Sequence, residues 1–420
     1  MRVCRQWKFA VLHTGRLWSK IRLGGQESSP SQQRRVDDYE LCHTPHRLKK
    51  ILTFAADAPL DLVLAFPRIE SSKELIDTLR TSNACFQIRS LLIEDDWIQN
   101  HNLDGFEFPA LEHAVLYYSS PSLNMQIMKS AYRLRYFDLA QVEKSEHGLD
   151  FTNVLSPLEL NLRLQNCMHA DFSVRQTICS IPHLIRLSLY ALAVPDTGTL
   201  TFPTLQSLSL HNVRLGCNLA CPSLKELCLF HSSIPTKRDH PLILPSLACL
   251  KLEDISDADC AHIRAGSIDT LYLSHFQYDT RRSELMLETL LEEAIKPGYL
   301  HSKRLHLYAV SIDTHLLIDI LRQMNVLVEI HVTGYVQLTK PFFEALAGCS
   351  LPVKSALSHA APICPYLQVF ALALRGTTLQ TRPYVASWFK EAIEIRGKEG
   401  YPLKEASLQE SERGAWVHLL

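Results

Sequence analysis

The chain has 420 residues, room for two or three ordinary domains or one long repeat array. Its formal net charge is −1, which argues against nucleic acid or an anionic membrane surface as a partner. Glycine is scarce at 15 residues, which counts against a phosphate-cradling enzyme, and no apolar run reaches the ~18 residues of a membrane helix.

The N-terminus, Met1 to Lys8, is charged and lacks the apolar core of a signal peptide. Val3, Trp7, Ala10 and Val11 share one helical face, with Arg5 and Lys8 opposite. Gly15 can end that helix, and Leu17-Trp18 follows as an apolar plug. Residues 24–43 are polar and predict a linker. Thr44 is placed to cap a helix that starts at Pro45 and runs to about Ala56. Pro59 to Leu64 alternates apolar and polar and predicts the first strand. Ser72 to Ser82 predicts a helix with Leu75, Ile76 and Leu79 inward.

From residue 88 onward one phrase recurs: Leu-x-x-Leu-x-Leu, with other apolar residues allowed for Leu. It begins at Ile88, Leu111, Leu134, Leu155, Leu184, Leu205, Leu224, Leu247, Ile268, Leu327, Leu367 and Leu403, and more weakly at Ser302. Strand side chains alternate, so the fourth and sixth places share one face. Pro stands one or two places upstream at Pro109, Pro182, Pro203, Pro222, Pro245 and Pro365, where it suits a turn into a strand. From Ile88 to Ile268 the phrases are 19 to 29 residues apart, and this pattern resembles irregular leucine-rich repeats. Later spacings are longer and hold expected helices at Ser283–Ile295, Pro341–Ala347 and Tyr384–Ile395. The last residues, Gly397 to Leu420, carry one weak phrase, Leu403 to Leu408, and are expected to cap the open edge or fray.

Reactive residues form no recognisable chemistry. Cys217 and Cys221, or Cys349 and Cys364, have no matched His or Cys pair of zinc-site spacing. Nucleophile-elbow, phosphate-loop and dinucleotide motifs do not occur, and Asp95-Asp96 and Glu292-Glu293 sit in polar or helical contexts. The sequence therefore predicts no enzyme, no metal and no cofactor. Its 12 scattered cysteines fit a reducing compartment, cytoplasm or nucleus.

One short stretch carries a second resemblance. Val3-Cys4-Arg5-Gln6-Trp7, then Thr14-Gly15-Arg16-Leu17-Trp18-Ser19-Lys20-Ile21, is similar to the second half of the F-box of fungal F-box proteins, with Gly15 where Pro is usual. The first half, with its Leu-Pro-x-Glu signature, is not in the sequence, so an upstream in-frame segment is expected. The resemblance implies that Val3, Cys4, Trp7, Leu17 and Trp18 are the remnant of a surface for the Skp adaptor of cullin–RING ligases.

The expected fold is α/β. A leucine-rich-repeat solenoid (a curved parallel sheet with helices on its convex side) follows a helical F-box remnant. The expected divisions are 1–24 for the remnant, 25–58 for a linker and helix, and 59–420 for the solenoid and its cap. Places three, five and seven of each phrase point away from the core. The place-seven row reads Tyr117, Ala140, Asn161, Tyr190, His211, Phe230, Glu253, Ser274, Tyr308 and Thr333, which is aromatic for a wet surface. Tyr190, His211, Phe230, Tyr272 and Tyr308 are the candidate partner-binding residues; the alternative is that loops or convex insertions fold over them as core. The function implied is substrate recognition for an SCF-type ubiquitin ligase; a plain interaction scaffold without ligase docking is the alternative.

Overall fold

The computed structural model describes residues 14–24, 39–65, 72–94, 106–117, 121–140, 154, 158–163, 181, 183–191, 193–194, 198–234, 241–254, 263–274, 302–308, 314–333, 338–348, 362–374, 382–409 and 416–419. The chain divides into two compact units, Met1–Ala193 and Val194–Leu420. Each unit is α/β, built on a mostly parallel sheet.

In the first unit a short 3-10 turn, Gly15–Trp18, leads into β1 (Lys20–Gly24). β1 lies between β2 (Glu40–Cys42) and β3 (Leu60–Ala65), parallel to both. The sheet continues in parallel through β4 (Ile88–Ile93), β5 (His113–Leu116), β6 (Tyr136–Ala140), β7 (Leu158–Arg163) and β8 (Leu184–Tyr190). Register aligns Ile21, Leu62, Leu91, Ala114, Phe137, Leu160 and Leu187 in one column, and all of them are buried. That column is the fourth place of the phrase. A single strand has one dry face and cannot shield it alone; the stacked column makes the core continuous.

Among the described residues three helices accompany this sheet: α1 (Pro45–Ala55), α2 (Ser72–Thr81) and α3 (Pro121–Ser130). α1 begins as its sequence predicts, with Thr44 Oγ1 accepting from the Arg47 N–H at 3.3 Å. Leu75, Ile76 and Leu79 of α2 are buried. α3 was not expected, because its polar Ser-Pro-Ser start resembles a turn; Leu123, Ile127 and Met128 nonetheless bury one face.

The N-terminal expectations need correction. Lys20–Gly24, placed in the helical remnant, is a strand, and Glu40–Cys42, placed in the linker, is its neighbour, so the sheet begins well before residue 59. Ile21, Leu23 and Cys42 are fully buried, which supplies the driving force. Leu17 is not an apolar plug: it is 60% exposed. Trp18 is half-buried against Phe54 of α1, ring centroids 5.3 Å apart. The phrase read from Leu155 starts two residues later, because Leu160 and Leu162 occupy the apolar columns. Asn161 therefore belongs to place five, beside Asp138 and Ser188.

Short strands β9 (Ala193–Val194), β10 (Thr199–Thr201), β12 (Arg214–Leu215), β13 (Asn218–Ala220), β15 (Leu242–Leu244) and β17 (Ile263–Ala265) fill turns between phrases. The main sheet of the second unit runs β11 (Ser207–His211), β14 (Glu226–Phe230), β16 (Cys249–Glu253), β18 (Thr270–Ser274), β19 (Arg304–Tyr308), β20 (Glu329–Thr333), β21 (Val369–Ala373) and β22 (Glu405–Gln409), all parallel. The fourth places, Leu208, Leu227, Leu250, Leu271, Leu305, Ile330, Phe370 and Ala406, align without a shift and are buried. Even the weak phrase at Ser302 is a full member, with Ser302 itself 2% exposed. β23 (Val417–His418) adds to β22 in antiparallel sense, so the last phrase is both a strand and the support for a covering one.

The returns change character along this unit. β10 pairs with β13 and β15 with β17, giving a thin parallel layer behind the first phrases. Later returns are helical: α4 (Thr314–Gln323), α5 (Lys340–Ala347) and α6 (Arg382–Lys398). α5 and α6 match expected helices; α4 was not expected, and Ser283–Ile295 lies outside the described residues. Phe389 of α6 meets Phe370 of β21 edge-on at 4.8 Å and Phe343 of α5 at 6.2 Å, tying helices to sheet.

Candidate partner-binding face

The face opposite the apolar columns carries places three, five and seven. In the second unit most of these side chains are half-buried, the consequence of standing side by side on strands about 4.8 Å apart. Place seven reads His211, Phe230, Glu253, Ser274, Tyr308 and Thr333 from β11 to β20. His211 and Phe230 are direct register partners with ring centroids 5.7 Å apart. His211 Nε2 and Ser209 Oγ are hydrogen-bonded at 2.9 Å. The row is not one aromatic stripe: Ser274, fully buried, and Glu253 separate Phe230 from Tyr308.

Place five continues the aromatic character where place seven loses it. Tyr272, His306 and His331 are successive register partners on β18, β19 and β20. Their ring centroids are 6.1 Å apart for Tyr272–His306 and 4.6 Å for His306–His331. Burial, and then the neighbouring His331, push the proton affinity of His306 down. Burial raises the Tyr272 phenol.

Charges on this face are largely satisfied within it. Lys251 Nζ donates to Glu226 Oε1 at 2.6 Å, and that hydrogen bond raises the lysine's proton affinity. Arg304 and Lys303 both hold Asp269, keeping its carboxyl below the usual range, chiefly through the Arg304 hydrogen bond. His331 Nε2 lies 2.7 Å from Glu329 Oε1. Burial pushes the Cys228 and Cys249 thiols up, so both are protonated at neutral pH.

One column escaped the sequence reading. The residue after place seven is left-handed in three successive strands: Asn212 at φ 54°, His231 at 46° and Asp254 at 49°. Each donates its N–H to the place-seven carbonyl of the next strand, at 2.8, 3.0 and 2.9 Å. His231 Nε2 also reaches Asp254 Oδ2 at 3.0 Å, and its ring meets Phe230 edge-on at 4.5 Å. Asn and Asp tolerate this backbone region better than most residues, so their presence one place beyond the phrase was the available signal.

In the first unit, Tyr190 is the half-buried last residue of β8, in register with Arg163. On the same face, Asn161 Nδ2 donates to the Tyr136 hydroxyl at 2.8 Å, and that hydroxyl donates to Asp138 Oδ2 at 3.3 Å. The structure thus brings His211 to Phe230 and Tyr272 near the Tyr308 strand; Tyr190 belongs to the other unit. Val3, Cys4 and Trp7 lie outside the described residues. No helix among the described residues is long and apolar enough to cross a membrane. No protein-family model matches this chain, and no curated protein matches it either.

Proposed function

We propose that this chain is a protein-recognition subunit that holds a target on the polar-aromatic face of its parallel sheet and serves an SCF-type ubiquitin ligase. The observation that carries the recognition part is that face: Phe230, Tyr272, Tyr308 and three imidazoles, His211, His306 and His331, stand half-buried in register, with charged neighbours already paired. Rigid aromatic side chains whose ordering is already complete are good interface anchors. The ligase part rests on the resemblance of residues 3–21 to the second half of an F-box, which names the Skp adaptor as a partner. The reading of a reducing compartment, cytoplasm or nucleus, rests on the scattered spacing of the 12 cysteines in the sequence.

Co-purification of the full transcript's product with the Skp adaptor tests the ligase part. Retention that is lost on Trp7→Ala supports it; a chain that never retains the adaptor leaves recognition without a ligase. Phe230→Ala with Tyr308→Ala tests the face. Target capture is lost while stability changes by about 1 kcal/mol per residue or less. The second reading, an interaction scaffold without ligase docking, is favoured by one observation. Ile21 and Leu23 of the remnant are core residues of the sheet, so part of that phrase is accounted for by folding alone.

A further inference from the structure

The imidazoles of His306 and His331 lie 4.6 Å apart, tilted by 32°, on register-paired residues of β19 and β20. The surroundings treat them differently. His331 Nε2 faces the Glu329 carboxylate at 2.7 Å. Among the described residues no carboxylate lies within hydrogen-bond reach of His306; it faces the Tyr272 ring on β18 and His331 on β20. Along its own strand it stands between Arg304, which is bound to Asp269, and Tyr308. Beyond His331 the next strand presents Ala371, which offers no charge.

We propose that this pair is a proton-sensitive catch between β19 and β20, closed while His306 is neutral and opened by acid. A proton on His331 meets a carboxylate. A proton on His306 meets a second imidazole across a half-buried gap; the Glu329 carboxylate of β20 attracts it, but burial and His331 outweigh that attraction, and Arg304 adds a smaller repulsion. The direction follows from linkage. Folding lowers the proton affinity of His306 below its ordinary value of 6.5, so below that pH the unfolded or locally opened strand binds more protons. The catch is therefore intact at pH 7.5 and weakens as pH falls through 6.5. The cost falls first on the β19–β20 ladder, so it opens locally before the unit unfolds. The device needs no bound partner, and its success or failure is separate from that of the recognition face.

Hydrogen exchange of the full chain, followed by mass spectrometry and corrected for intrinsic rates, tests this. In the wild type, protection of residues 304–308 and 329–333 falls about threefold or more between pH 7.5 and 5.5, while residues 207–211 and 226–230 change less. His306→Phe keeps a ring and removes the proton site, and its profile becomes flat. If that variant does not fold, His331→Gln removes the neighbouring imidazole while the burial of His306 remains, and the profile must become shallower than that of the wild type. Equal pH dependence in wild type and variant, or a loss spread evenly over all strands of the unit, overturns the proposal.

Discussion

Arg396 Nη1 donates to the carbonyl of Leu346 at 2.8 Å, joining the end of α6 to the last turn of α5. The same guanidinium donates to Ile363, Cys364 and Tyr401 carbonyls at 3.2, 3.1 and 3.2 Å, and the residue is wholly buried. Four carbonyls depend on one side chain whose planar fork no other residue reproduces. Arg396→Met removes a donor from all four, of which the Cys364 carbonyl keeps the Leu367 N–H at 3.0 Å, and should cost about 3 kcal/mol, read as a lowered urea midpoint. Arg396→Lys recovers little of this, because one ammonium cannot span the same set.

Gly15 marks a close approach. A Cβ at this position would lie 2.6 Å from the Ala55 carbonyl oxygen at the end of α1. This is a physical reason for glycine where the F-box pattern usually has proline, since proline also carries a Cβ. Gly15→Ala should push the 3-10 turn off α1 and destabilise the first unit by about 1–3 kcal/mol, measured by thermal unfolding and by protease cleavage near residue 55.

Ser232 binds two strands at once. Its hydroxyl accepts from the Val213 N–H at 2.9 Å and lies 2.9 and 2.7 Å from the Leu210 and Phe230 carbonyls. The residue is 4% exposed, so water cannot replace it readily. Ser232→Ala leaves a buried N–H without its acceptor and should cost about 1–2 kcal/mol, while Ser232→Thr, which keeps the hydroxyl, should cost less. Denaturant titration of both variants checks the order.

Thiol chemistry should sort the described cysteines by place in the fold. Cys228 and Cys249 are half-exposed on the outward face, whereas Cys364 is buried and its thiol is pushed up to about 12. At pH 7 roughly one Cys364 thiol in 10⁵ is ionised, and it has no access to reagent. Alkylation of the native protein with N-ethylmaleimide, read by peptide mass spectrometry, should label Cys228 and Cys249 well before Cys364, Cys217 or Cys221. Early labelling of Cys364 would show that the α5–α6 corner opens readily.

The phrase strands were legible because their signal is purely periodic: Leu208 and Leu210 belong to a strand whatever follows them. Ser302 showed that a weak first place is tolerated when the fourth and sixth hold. Two kinds of element were not legible. β1 and β2 are short, and their partners lie on either side of a polar stretch, so neither Ile21 nor Cys42 announces a strand locally. α3 opens on Pro121-Ser122, which reads as a turn, and α4 opens on Thr314-His315 with no acidic residue in its first turn. Among site residues, alternation located Phe230, Tyr272 and Tyr308, but pairing between strands decides what they touch. Register made His306 and His331 neighbours although 24 residues lie between them in sequence, and no linear pattern carries that fact. The Arg396 cluster was hidden for the opposite reason: an arginine in the last turn of a helix ordinarily reads as a solvated cation.

The unshifted columns of the second unit carry a genetic consequence. Every main-sheet strand from β11 to β22 presents the same two apolar places to its neighbour, whatever length of chain returns between them. Excision of residues 247–267 removes β16 and β17 together and brings Leu227 and Leu229 opposite Leu271 and Leu273, a pairing as good as the one lost. Whole phrases can therefore be gained or dropped in frame as exons are, whereas deletion of a single residue inside a strand turns every later side chain of that strand to the wrong face. A lineage of such chains should vary in steps of one phrase, and its binding face should lengthen or shorten by three outward residues at each step.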